Sequence, residues 1–393
     1  MDLDRFKQEL TDELHNDVLP FWERMADPEH GGFYGRMDGR GELHPEAPKG
    51  VVLNARILWT FSAACRVSGN GEYLAAAARA RDYLLEHFID RRYGGVYWLL
   101  DHRGAPMETR KQMYAQGFAI YGLSEYHRAT GDGEALDAAV GLFRLVEQHA
   151  RDARNGGYTE ALDRAWQPLS DMRLSDRDAN LSKTMNTHLH IIEPYVNLYR
   201  VWPNELLGRR IRELLAIFAE KIVGTDGHLG LFFDDGWQRH GDTVSYGHDI
   251  EASWLLHEAA FVSGDDELLA SAESLVKRIA AAAVEGLQSD GGMAYEFDRA
   301  AGRTDLDRHW WVQAETVAGY FNLWQHFGDT EALQRAVGAW EYIKAHLIDR
   351  RRGEWFWSVR GDGSINTTDD KAGPWKCPYH NGRMCLEIID RLR

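Results

Sequence analysis

Apolar residues recur at helical spacing through stretches such as 75–88 and 268–284, and two kinds of punctuation interrupt these runs at regular intervals. The first is glycine followed by aromatic residues: Gly31-Gly32-Phe33-Tyr34, Gly94-Gly95-Val96-Tyr97, Gly156-Gly157-Tyr158 and Gly291-Gly292-Met293-Ala294-Tyr295, with weaker copies at Gly230-Leu231-Phe232-Phe233 and Gly353-Glu354-Trp355-Phe356. The second reads as a helix-to-helix turn: Ser68-Gly69-Asn70-Gly71-Glu72, Thr130-Gly131-Asp132-Gly133-Glu134, Ser263-Gly264-Asp265-Asp266-Glu267 and Phe327-Gly328-Asp329-Thr330-Glu331, with a divergent copy around Pro203-Asn204-Glu205. In each, glycine ends one helix, Asn or Asp caps the next, and Glu enters its first turn. The glycine pairs step from 31 to 94 to 156, and the later copies from 291 to 353, a period of 62 or 63 residues.

Each period therefore holds two helices and an aromatic loop or hairpin, and six loops imply about twelve helices. Helix pairs can stack as an open solenoid or close into a ring. The count suits a closed all-α toroid, an (α/α)6 barrel, with residues 1–393 as a single domain and one inner and one outer helix per pair. The loops then lie on one rim, and each leads into an inner helix: 48–68, 111–130, 180–200, 245–263, 308–327 and 372–391.

Composition narrows the function. The net charge is −16 and no basic stripe stands out, which argues against nucleic acid; Arg350-Arg351-Arg352 reads as a solvated loop. The three cysteines, Cys65, Cys377 and Cys385, have neither metal spacing nor the number for a disulfide framework. The N-terminus lacks an apolar signal core and no run is long enough to span a bilayer, so the expected setting is the reducing cytoplasm with no membrane partner. Asn180-Leu181-Ser182 and Asn366-Thr367-Thr368 match the glycosylation pattern by chance in that setting. The chain is rich in aromatics, with 14 Trp, 16 Tyr and 15 Phe, which suits a large core and equally a cleft that covers the apolar faces of sugar rings.

The starts of the six inner helices bring together Asn54 and Arg56; Tyr114 and Gln116; Asp178, Asn180, Asn186, His188 and His190; His248 and Glu251; His309, Trp310, Trp311, Gln313 and Glu315; and Trp375, His380 and Asn381. Helix N-termini on one rim would aim these groups into one cup and favour negative charge developing there. His248 and Glu251, three apart, share a helical face and would form a tunable proton donor or acceptor. His188 and His190 flank Leu189 and face different sides, so one of them is structural. Two further readings stay open on the residues alone. Three histidines with Glu251 could hold a metal, and Asp178 with Glu251 could be the acid and base of a glycoside hydrolase.

Five ordered motifs, Leu53-Asn54-Ala55-Arg56-Ile57-Leu58-Trp59, Met185-Asn186-Thr187-His188-Leu189-His190, Gly247-His248-Asp249-Ile250-Glu251, His309-Trp310-Trp311-Val312-Gln313-Ala314-Glu315 and Trp375-Lys376-Cys377-Pro378-Tyr379-His380, resemble the N-acylglucosamine 2-epimerase superfamily, and within it the cellobiose 2-epimerases. The resemblance spans nearly the whole chain. It implies an (α/α)6 barrel that interconverts epimers at sugar C2 without metal or nicotinamide, acting on cellobiose and in some members on lactose. By the same resemblance His248 and His380 are the acid/base pair, and His190 supports ring opening or the oxyanion. Arg56 stabilises the enediolate, and Glu251 orients His248. Trp311 and Trp375 stack on sugar rings beside Trp310, and Tyr114, Asn186 and Asp178 bind hydroxyls. The expected partner is a small sugar and the expected state a monomer. The runner-up is a mannose 2-epimerase or aldose–ketose isomerase acting on monosaccharides. The chemistry is coherent: C2–H becomes removable only after ring opening to an aldehyde, histidine titrates in the right range, and the enediolate needs a fixed cation.

Overall fold

The computed structural model describes residues 2–393. Outer and inner helices alternate along the chain: α1 (Leu3–Glu13, continued through Leu14–Val18 and Leu19–Glu23), α2 (Val51–Ser68), α3 (Leu74–Tyr83), α4 (Met113–Thr130), α5 (Gly133–His149), α6 (Met185–Val201), α7 (Glu205–Ile217), α8 (Tyr246–Ser263), α9 (Asp266–Ala283), α10 (Trp310–Phe327), α11 (Thr330–Tyr342) and α12 (Tyr379–Arg391). The even-numbered helices are the inner ones. Each packs on the next, and α12 packs back on α2, so the ring is closed. Their sequences explain the placement. In α4 every residue from Met113 to Tyr126 is buried, whereas α5 buries a stripe of Ala135, Ala139, Leu142, Phe143 and Val146 and turns its other face to water.

The helix-to-helix turns are built as their residues require. Gly69, Gly131, Gly264 and Gly328 end inner helices with φ of 66°, 77°, 68° and 69°. Asp132, Asp265 and Asp329 then accept from the N–H three residues on, and Asn204 caps the divergent copy.

The inner helices begin later than the pattern predicts, at 185 rather than 180 and at 379 rather than 372 in the extreme cases. The residues just before them are short strands. Lys49–Gly50 pairs with Leu99–Leu100, Lys111–Gln112 with Ala161–Leu162, Lys183–Thr184 with Phe232–Phe233, Thr243–Ser245 with Glu296–Asp298, and Arg308–His309 with Ser358–Val359. Each strand thus joins the hairpin of the following repeat and stitches the rim. Ahead of α12, Pro374 and Pro378 interrupt the helix, so Trp375 stands on a loop.

Two buried devices recur. One is an ion pair between a lysine of the segment leading into an inner helix and the aspartate of a glycine turn: Lys49 to Asp27 (2.7 Å), Lys111 to Asp90 (3.1 Å), Lys183 to Asp152 (2.8 Å) and, in the last repeat, Lys371 to Asp349 (2.5 Å). The other is a polar side chain three residues into five of the six inner helices, bonded to backbone of the adjacent outer helix or glycine turn. Asn54 donates to Ala80 O (2.8 Å), Gln116 accepts from Val96 N (2.8 Å), His188 from Tyr158 N (3.0 Å), Asp249 from Leu229 N (2.9 Å) and Gln313 from Met293 N (2.7 Å). Asn54, Gln116 and Gln313, which the sequence groups with the cup, are therefore structural, and His188 is the structural member of the 188/190 pair.

Gly157 has φ +76°, and a β-carbon there would lie 2.5 Å from the Trp237 ring and 2.6 Å from His188 Nε2. Gly157→Ala is expected to lower the unfolding free energy by about 2–4 kcal/mol, read as an earlier urea midpoint.

Candidate active site

One residue of each inner helix forms a buried layer across the barrel. Five residues on from the first residue of α2, α4, α6, α8 and α10 stand Arg56, Phe118, His190, Glu251 and Glu315, and α12 adds Arg383. Arg383 is the hub. Its Nη2 donates to Glu251 Oε1 (2.8 Å) and Glu315 Oε1 (2.6 Å), and its Nη1 donates to Glu193 Oε1 and the Tyr379 hydroxyl. The guanidinium also lies over the rings of Tyr379 (4.2 Å) and Trp254 (4.7 Å). Three carboxylates face one guanidinium in a dry interior, so they divide in charge. Burial alone would raise Glu193, yet Arg383 and His190 pull it down to about 2. Burial, reinforced by Glu315, pushes Glu251 well up and favours its protonated form.

Three imidazoles rest on this layer, each held through one nitrogen. His190 Nδ1 meets Glu193 Oε2 at 3.0 Å, and its Nε2 lies 4.0 Å from Glu251 Oε2. His380 Nδ1 meets Glu315 Oε1 at 2.7 Å. His248 Nδ1 meets Ser245 Oγ at 2.8 Å. Trp311 touches two of them, with ring centroids 4.7 Å from His248 and 5.7 Å from His380. Burial first, with the neighbouring His190 imidazole, takes His248 down to about 3. Burial, then Arg56 and Arg383, takes His380 well below the imidazole range, while burial lifts Glu315. Both directions disfavour the charged forms of the His380–Glu315 pair, and burial likewise favours neutral His248.

Local backbone sets His190 in place. Its φ of −91° and ψ of 15° break the α6 helix, because Pro194 has no N–H to give to the His190 carbonyl. That carbonyl lies against Gly117, where a β-carbon would come within 2.3 Å of it.

The remaining predicted residues fall into two groups. Arg56 donates to the Tyr114 hydroxyl (2.7 Å) and to Trp375 O (3.5 Å), with its guanidinium 4.1 Å from the Phe118 ring centroid. Tyr114 in turn meets His190 edge to face, centroids 5.1 Å apart, and Trp375 at 6.0 Å. Arg56 Nε, Glu251 Oε2 and Asn186 Oδ1 are buried without a protein partner, which leaves them available to a ligand.

Three expectations need correction. Glu251 does not orient His248: it is turned to Arg383, and Ser245 holds the histidine. Trp310 is 3% exposed and packs on Trp357 at 4.6 Å, so it is a supporting ring rather than an open platform. Asp178 stands in the loop before α6, where its Oδ2 accepts from Ser175 N at 2.8 Å. Pattern reading also missed Arg383, Glu193, Tyr379 and Ser245. A usable signal existed for two of them, since His190/Glu193 and His380/Arg383 repeat the three-residue spacing of His248/Glu251.

Glu251, Glu315 and His380 bring ligand atoms within 4.8 Å of one another, a set able to hold a metal ion, but the Oε1 atoms of both carboxylates already accept from the Arg383 guanidinium. Arg383→Met would leave buried acids without their cation. It is expected to cost about 3–5 kcal/mol of stability, visible as a lowered thermal midpoint, and to abolish turnover.

Comparison with known proteins agrees with this architecture. The profile of the N-acylglucosamine 2-epimerase (GlcNAc 2-epimerase) family matches residues 32–382. A cellobiose 2-epimerase of Bacteroides fragilis is 61% identical over 385 residues, 98% of each chain. The structure of cellobiose 2-epimerase from Bacillus thermoamylovorans superposes with a TM-score of 0.95 at 41% identity, covering 99% of this chain and all (100%) of that one. A D-mannose isomerase of Marinomonas mediterranea is 23% identical over 387 residues, 95% of this chain and 94% of that protein.

Proposed function

The chain belongs to the N-acylglucosamine 2-epimerase family, and from that premise we propose that it interconverts the glucose and mannose configurations at C2 of the reducing-end sugar of β-1,4-linked disaccharides, cellobiose first. The observation that carries the reading is the convergence of the buried His190 and His380, the half-buried His248 and the buried Arg56 on one barrel floor, with Trp311 against two of the histidines.

The chemistry follows from the proton inventory. Ring opening moves the proton of the C1 hydroxyl to the ring oxygen, a transfer within reach of His190, whose Nδ1 is anchored on Glu193 and whose Nε2 faces Glu251. The C2 proton then passes to one imidazole. In the glucose-to-mannose direction the neutral His248 accepts it, becoming imidazolium. The electron pair of the C–H bond spreads into the enediolate oxygens, where Arg56 supplies a fixed positive charge away from water. The His380–Glu315 pair, entering the cycle with one transferable proton, delivers it to the opposite face of C2. The reverse direction exchanges the two roles. Trp311 and Trp375 offer flat faces for the two sugar rings, and Tyr114 and Asn186 offer polar atoms for hydroxyls. No cofactor enters this scheme.

The alternatives are weaker on specific grounds. A monosaccharide isomerase would share the proton chemistry, but the relative with that name is far more distant than the cellobiose 2-epimerases. A glycoside hydrolase needs a free acid and base flanking the scissile bond, whereas of the candidate pair Glu251 accepts from Arg383 and Asp178 accepts from Ser175 N in its own loop. The reading includes a monomer acting as one catalytic unit, since the ring closes within a single chain. It also includes a cytoplasmic setting, in keeping with three unpaired cysteines among the described residues.

In deuterium oxide, recovered cellobiose and its epimer are expected to carry deuterium at C2 by NMR, and His248→Ala or His380→Ala to slow epimerisation by about 10²–10⁴-fold; unlabelled C2 in both sugars would end the reading. A second expectation concerns pH. A group whose pKa is lowered stays neutral to more acidic pH, so with His248 at about 3 the acid limb of kcat/KM is expected below the ordinary imidazole value of about 6.5.

A further inference from the structure

The glycine turn of the sixth repeat departs from the pattern. In three other repeats the second turn position is glycine in the left-handed region, Gly32 at φ +59°, Gly95 at +72° and Gly157 at +76°, and an aromatic ring (Tyr83, Trp166 or Trp237) leaves no room for a β-carbon. In the sixth repeat the position is Glu354, at φ +62° and 0% exposed. A glutamate in this conformation is strained, and such strain persists where the surroundings hold it for use.

The carboxylate has much to hold. Glu354 Oε1 accepts from Lys376 Nζ (2.6 Å), Asn381 Nδ2 (2.7 Å) and Trp355 N (2.8 Å), and Oε2 accepts from Trp22 Nε1 (2.6 Å). Its own N–H donates to Asp17 Oδ1 (3.1 Å). Lys376 follows Trp375, and Asn381 follows His380. Glu354 therefore pins both ends of the segment that carries a candidate sugar platform and a candidate acid/base group. Lys376 is itself fully buried, and its ammonium lies 5.2 Å from the Trp310 ring centroid, which stands 6.3 Å from the His380 ring. The recurrent Lys–Asp ion pair is already present in this repeat as Lys371–Asp349, so the Glu354–Lys376 pair is an addition to it.

Resting on the epimerase reading above, we infer that Glu354 is a positioning residue for the reaction: it trades the glycine of the turn for a carboxylate that fixes the Trp375–His380 segment over the barrel floor. The informative variant is Glu354→Gly with Lys376→Met. It restores the residue the turn favours and removes both buried charges together, so neither is left alone. The folded double variant, monitored by circular dichroism, is expected to lose about tenfold or more in kcat/KM on cellobiose, with kcat lower and KM higher, because His380 and Trp375 both drift. Glu354→Gln, which keeps the acceptor for Asn381, is expected to recover part of that loss. A folded double variant with kcat and KM within about threefold of the parent overturns the inference. If the double variant does not fold, Asn381→Ala decides on the same readout, with parent-like kcat and KM again overturning it. A parent enzyme inert on cellobiose would instead refute the epimerase reading.

Discussion

The Arg383 guanidinium, shared among Glu193, Glu251 and Glu315, is the contact on which the site depends. It is what allows three acids and three histidines to lie together without water. Each carboxylate that accepts from it also meets a histidine: Glu193 reaches His190 through its second oxygen, Glu315 reaches His380 through the same Oε1 that Arg383 holds, and Glu251 lies about 4 Å from both. The cation thus keeps Glu193 ionised, while burial pushes Glu251 and Glu315 toward their protonated forms. Without it the interior would hold unpaired charge, a state that proteins avoid by neutralising or unfolding.

The barrel makes this contact possible through register. A repeated turn starts every inner helix at the same height, so the same helical position in different repeats arrives at the same depth. One position, three residues in, is spent on tying the helix to the rim, as Gln116, His188, Asp249 and Gln313 do. Another, five residues in, faces the axis and is free to vary: Arg56, Phe118, His190, Glu251 and Glu315. Scaffold and chemistry occupy different faces of the same helices, which is why a repeat can carry a site that is not repeated.

The departures from the repeat are where function collects. Pro194 breaks α6 at His190, Gly117 makes room for the freed carbonyl, and Glu354 replaces a turn glycine behind His380. Each violates a local preference and is held by tertiary contacts, the expected signature of a site built on a regular frame. A cavity of about 430 Å³ lies elsewhere, between α1 and α11, bordered by Glu13, Asp17, Trp340 and Lys344. No imidazole of the floor borders it, so chemistry rather than hollow volume locates the site.

While closure of the ring came from α12 packing on α2, the amino-acid pattern by itself determined the six helix pairs, their alternation with glycine-aromatic loops, and the set of histidines, arginine and tryptophans near the inner helix starts. These follow from short-range rules, helical periodicity, capping and glycine conformation, that act within a few residues and repeat at a constant interval. Only the tertiary structure decided the partnerships. Glu251 turned to Arg383 rather than to His248 three residues away, Trp310 was covered by Trp357, and Asp178 capped its own loop. Such choices depend on how charges from helices far apart in the chain share one buried volume. The energy of each pair is set there by what the other helices bring, and spacing along the chain carries no record of it.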